Sequence, residues 1–93
     1  MNNITHHANS RIEQRRSDFA GDFSLLEIKQ IVSKCAASIT SSKRAMVNCY
    51  CEGVLVAKII AASGTAITVL DASLRNDFGQ CTDHNSINVE VEV

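Results

Sequence analysis

At Lys43 the apolar pattern of this chain changes period, and that change fixes most of what it can fold into. Before Lys43, Ile4, Ala8 and Ile12 recur every four residues, and Leu25, Ile28, Ile31, Val32, Cys35 and Ile39 keep three-to-four spacing, the signature of helices with one apolar face. After it, Arg44–Cys51 and Val54–Ala62 are rich in strand-forming residues, and Ile87, Val89, Val91 and Val93 alternate with Asn88, Glu90 and Glu92, the period-two pattern of a half-buried strand. The spacing predicts helices over 5–17 and 24–39, then strands over 44–51, 54–62, 65–71 and 87–93.

Local signals sharpen these bounds. Thr5 stands where a helix cap belongs. Ser24 followed by Glu27 has the form of a capping box, with Phe23 and Ile28 placed as a hydrophobic staple. The hydroxyls of 38–42 compete for backbone hydrogen bonds and should end the second helix. Glu52-Gly53 and Ser63-Gly64 are two-residue links whose glycines allow tight hairpins, so the first three strands read as an antiparallel meander. The connection Ala72–Ser86 is long for a compact domain. The fold expected is α+β, two N-terminal helices packed on a four-stranded, mainly antiparallel sheet, with 1–93 as a single domain.

Composition narrows the function class. With 45% hydrophobic and 20% charged residues the chain is not of the disordered kind. It has no apolar run long enough for a bilayer helix and its polar start lacks a signal-peptide core. A cytoplasmic chain with no membrane partner is therefore expected, and its four cysteines are expected as reduced thiols rather than disulfides. The net charge of −1 conceals a split: residues 1–44 carry seven basic against four acidic side chains, residues 45–93 two against six. That asymmetry permits a basic surface for RNA and equally permits a homodimer of unlike faces. Only Phe19, Phe23, Tyr50 and Phe78 are aromatic, too few for a base-stacking platform.

The chemistry-bearing constellation is on the first helix. His7, Arg11 and Arg15 recur at one-turn intervals, with His6 and Arg16 at the margins of the stripe. Cleavage of RNA through its own 2′-hydroxyl needs groups that move protons near neutral pH and cationic donors for the phosphate, roles that suit imidazole and guanidinium. Lys58, inside an otherwise apolar strand, offers an amine to a phosphate or marks a solvent face or sheet edge. Thr68 is a second strand candidate, with β propensity as its simpler explanation.

The opening Ile4-Thr5-His6-His7-Ala8-Asn9-Ser10-Arg11-Ile12-Glu13-Gln14-Arg15-Arg16, followed by an amphipathic helix and a meander ending in Thr65–Leu70, resembles a group of small bacterial and phage domains distantly related to the RelE/ParE toxins. His7, Ala8, Arg11, Gln14 and Arg15 match its opening; Arg16-Ser17 departs from the glycine that usually follows. The resemblance implies an α+β toxin-like fold and a metal-independent ribonuclease, or an RNA-binding relative, that uses no cofactor. Within it, His7 is the expected acid or base, Arg11 and Arg15 hold the phosphate, and His6, Arg16, Lys58 and Thr68 contact substrate. A protein antitoxin is the partner it implies.

Two further readings compete. The chain could instead be a non-enzymatic interaction module, an inhibitor or adaptor from a phage or mobile element, docking through its basic helix or final strand. Cys49 and Cys51, with Cys81 and His84, can be written as a zinc set, but sulfurs two residues apart on a flat strand stand about 6–7 Å apart and cannot share a metal without a bulge, so no metal site is expected. Cys35 belongs to the core pattern. Glu90 and Glu92 either blunt an edge strand or mask the basic helix, the first being the expected role.

Overall fold

The computed structural model describes residues 3–14, 23–70 and 86–93. Two helices, α1 (His6–Gln14) and α2 (Leu25–Ala37), cover one face of a sheet made of β1 (Ala45–Cys51), β2 (Val54–Ala62), β3 (Thr65–Leu70) and β4 (Ser86–Val91). The α+β class holds.

Each helix starts where its cap dictates. Thr5 Oγ1 accepts from the Ala8 N–H at 3.1 Å while its hydroxyl donates to the Ile67 carbonyl at 2.7 Å, so one side chain caps α1 and ties it to β3. Ser24 and Glu27 form the reciprocal box on α2, with bonds of 3.2 and 2.8 Å. Helix α2 ends at Ala37, two residues before the expected Ile39. There Ser38 donates its hydroxyl to the Cys35 carbonyl at 2.7 Å, the competition foreseen for this hydroxyl-rich run. Residues 15–17 of the expected first helix lie outside the described residues.

Both hairpins take the tight form. Glu52 and Gly53 have φ of 54° and 76°, Ser63 and Gly64 of 52° and 74°, so both central residues of each turn are left-handed, as type I′ requires. The twist of such turns matches that of the strands, and β1–β2–β3 is the antiparallel meander expected.

The last strand corrects the expectation of a mainly antiparallel sheet. The order is β3-β2-β1-β4, and β4 runs parallel to β1, which makes the sheet mixed. Two-residue links can join only antiparallel neighbours, whereas a parallel pairing needs a crossover of a dozen or more residues. The stretch 71–85 has that length, and its own course lies outside the described residues.

Alternation sorts the side chains onto two faces. Val47, Cys49 and Cys51 of β1 are buried beneath the helices with Ala8, Ile12, Ile31 and Ile59. Met46, Asn48 and Tyr50 point to the second face, where they are half-buried. Lys58 sits on that second face, opposite Asn48 in register. It is neither on an edge strand nor exposed: β2 is an inner strand, and Lys58 is only 7% accessible. Its Nζ donates to Asn48 Oδ1 at 2.9 Å, and Asn48 Nδ2 donates to Asn88 Oδ1 at 2.8 Å. Hydrogen bonding along this row is what lets an amine sit in an apolar strand.

Candidate functional site on helix α1

Helical geometry gives α1 three sides. Ala8 and Ile12 face the sheet and are fully buried. His6, Asn9 and Glu13, spaced by three and four, share the flank toward α2. His7 and Arg11 lie on the opposite flank, His7 exposed and Arg11 half-buried.

Among the described residues a concave surface lies on the α2 side. Ile4, His6, Asn9 and Lys29 line an open groove of about 430 Å³. Along it Lys29 Nζ donates to Glu13 Oε2 at 2.8 Å. That hydrogen bond and the lysine's charge hold the Glu13 carboxyl below its ordinary value of 4.5, with smaller contributions in the same direction from a hydrogen bond to Asn9 and the nearby charge of His6. An acid–base group, an amide and an ammonium are thus gathered round one carboxylate.

The sequence-predicted residues therefore part company. His6 reaches the groove. His7 and Arg11 keep their one-turn spacing but form a separate flank, and Arg15 and Arg16 lie outside the described residues. Lys58 and Thr68 sit on the second face of the sheet, since Thr68 pairs with Ile60 while its neighbour Val69 is in the core. The sheet itself separates them from α1, so they cannot act on the same phosphate as the helix. Sequence reasoning missed Asn9, Glu13 and Lys29. The His6, Asn9, Glu13 spacing was visible as a polar stripe, but Lys29 joins it only through the packing of α2 against α1.

The acidic C-terminal strand does not mask the helix. Helix α1 packs on β3, and β4 is the opposite edge of the sheet. Glu90 there accepts from the Gly53 N–H at 2.9 Å, and Lys34 Nζ donates to the Glu92 carbonyl. As for the cysteines, Cys35, Cys49 and Cys51 are fully buried. The irregularity at Cys49/Tyr50 places Val56 of β2 as the additional residue and leaves β1 itself regular. Among the described residues no group of three His, Cys, Asp or Glu side chains is placed to hold a metal ion; Cys81 and His84 lie outside them. Among these residues, too, no helix is long and apolar enough to cross a membrane.

The ion pair makes a pH prediction. Because the folded Glu13 carboxyl titrates lower than the unfolded one, its stabilising contribution is present above the ordinary carboxylate range and disappears as pH falls through the lowered folded value. Wild type should unfold at a higher urea concentration than Glu13→Gln at about pH 7, and the gap between the two midpoints should narrow progressively as the pH is taken below the ordinary carboxylate range. A gap that persists unchanged in acid contradicts this assignment. Comparison with protein-family models, with curated proteins and with solved structures finds no match to this chain.

Proposed function

We propose that this chain is an RNA-directed domain of the RelE/ParE toxin type, a metal-independent ribonuclease whose reaction centre is the groove between α1 and α2. The observation that carries this reading is that His6, Asn9 and Lys29 line one open concavity. The His7, Ala8, Arg11 and Gln14 opening and the order of two helices before a three-stranded meander support the kinship.

In this reading His6 takes the place expected for His7. An imidazole at the groove accepts the proton of a ribose 2′-hydroxyl as that oxygen attacks the adjacent phosphorus. The P–O5′ bond breaks, the 5′ oxygen gains a proton from solvent, and the fragments carry a 2′,3′-cyclic phosphate and a 5′-hydroxyl. Lys29 and Asn9 donate to the phosphoryl oxygens, where negative charge builds. Part of the Lys29 charge is committed to Glu13, which fixes the ammonium at the groove wall. His7 and Arg11, on the adjoining flank, contact neighbouring phosphates and contribute affinity rather than chemistry.

The binding step is tested by fluorescence anisotropy of a labelled single-stranded RNA across a salt series. Affinity should fall with salt, and Arg11→Gln should flatten the log–log slope by about 0.7, the loss of one phosphate contact on a single strand. Absence of salt-sensitive binding contradicts the proposal and favours the protein-interaction module, with an antitoxin-like or other protein as the partner to seek.

A further inference from the structure

We propose that Cys35 and Cys49 form a redox-active thiol pair that hydroperoxides oxidise to a disulfide joining α2 to β1. The inference is independent of the RNA reading. Cys35 lies in the last turns of α2, directly above the sheet, and its Sγ–H approaches the Val89 carbonyl of β4 at 3.9 Å. Val89 is the register partner of Cys49 in the parallel β1–β4 ladder. The Cys35 sulfur therefore stands over the very pair of strands from which the Cys49 side chain rises, and both cysteines are fully buried in the same core cluster.

The pair is chemically unequal. The hydrogen bond from the Cys49 thiol draws the Cys35 thiol below its ordinary value of 9.0, while the same bond and burial push Cys49 well above it. In the sequence of steps proposed, Cys35 ionises first and attacks, and Cys49 keeps its proton until the second step. Cys51, on the same side of β1, is pushed up by burial and by the nearby Glu52 charge.

Neither thiol touches solvent in the closed fold. Access comes through β4, which among the described residues is an edge strand paired only with β1, and whose core-facing Val89 and Val91 are half-buried. Fraying of an edge strand is among the cheapest local openings of a sheet, and this one lifts the Val89 carbonyl off the Cys35 sulfur.

The electron balance closes with the peroxide as the two-electron oxidant. The Cys35 thiolate attacks one peroxide oxygen, the O–O bond breaks, and a sulfenic acid and one water (or alcohol) result once the leaving oxygen takes up a proton. The Cys49 sulfur then attacks the sulfenic sulfur, the S–O bond breaks, and the hydroxide leaves with the Cys49 proton as water. Two thiols are oxidised and one peroxide is reduced.

The experiment treats the folded, fully reduced protein with a slight excess of hydrogen peroxide, blocks remaining thiols with a maleimide, and maps peptides by mass spectrometry. Expected are the loss of two hydrogens, a Cys35–Cys49 linked peptide, reversal by dithiothreitol, and a higher melting temperature for the oxidised form. Cys51→Ser and Cys81→Ser proteins, which retain the pair, should form the same link, whereas Cys35→Ser should not. Recovery of four free thiols, a link through Cys51 or Cys81, sulfinic or sulfonic products without the link, or oxidation only in urea would each overturn the proposal.

Discussion

Truncating Ile31 to alanine is expected to lower the stability of this protein by about 2–5 kcal/mol, the range for a buried aliphatic side chain replaced by a methyl group. Ile31 is fully buried on α2, and α2 is the element that packs against all four strands as well as α1. A hole at that position removes contacts on both layers at once, and a sheet held in register on either side cannot collapse into it. Natural domains have only about 5–15 kcal/mol in reserve, so the substitution consumes a large part of what holds this one folded. Leu26 lies on the same helix but is 59% exposed, and Leu26→Ala should shift stability by no more than about 0.5 kcal/mol. Urea midpoints of the two variants at equal slope measure the contrast. Equal losses for both would mean that α2 is rotated from the orientation described.

His6→Ala is expected to reduce RNA cleavage by about 10²–10⁴-fold, the usual contribution of a positioned acid–base group. The loss belongs in kcat, because an imidazole that takes a proton in the transition state adds little to ground-state binding. His7→Ala should act differently. His7 is exposed on the flank away from the groove, so its removal should weaken RNA binding a few-fold and leave turnover on saturating RNA close to wild type. Reversed effects, with His7 dominating kcat, would move the chemistry to the other flank of α1. Since His6 is itself exposed, its replacement should leave stability within about 0.5 kcal/mol of wild type, which keeps loss of function separable from loss of fold.

What the sequence revealed and what it hid follow from the range of the forces involved. The Ser24–Glu27 box, the Thr5 cap and the Glu52-Gly53 and Ser63-Gly64 turns are satisfied by atoms a few residues apart, so residue types alone sufficed to place them. The direction of β4 is different. Its alternation of Ile87, Val89 and Val91 against Asn88 and Glu90 identifies a half-buried strand, but alternation is the same in parallel and antiparallel ladders. Only the length of the preceding connection hinted at a crossover.

The site shows the same division. A four-residue period on α1 was legible, and so was its basic character, yet a helix has several flanks and the sequence does not say which one will be concave. That was decided by Lys29, sixteen residues away, when α2 settled beside α1. The setting of Lys58 is hidden from the sequence for a related reason. A lysine in an apolar strand reads as an exposed or edge position, and the Asn48–Asn88 row that accommodates it is assembled from three strands. Thr68 was separated from the helix by nothing more than the parity of a strand, shifted by the irregularity at Ile60/Ala61.

The most direct test of the central claim, that the α1–α2 groove is a metal-independent RNA-cleaving site, is to incubate the purified protein with a panel of single-stranded RNAs in EDTA and analyse the fragment ends. Cleavage in the chelator is expected, with fragments ending in a 2′,3′-cyclic phosphate and a 5′-hydroxyl, and with most of that activity lost in folded His6→Ala whose circular dichroism is unchanged. Intact RNA throughout, or cleavage that His6→Ala leaves at the wild-type rate, would contradict it.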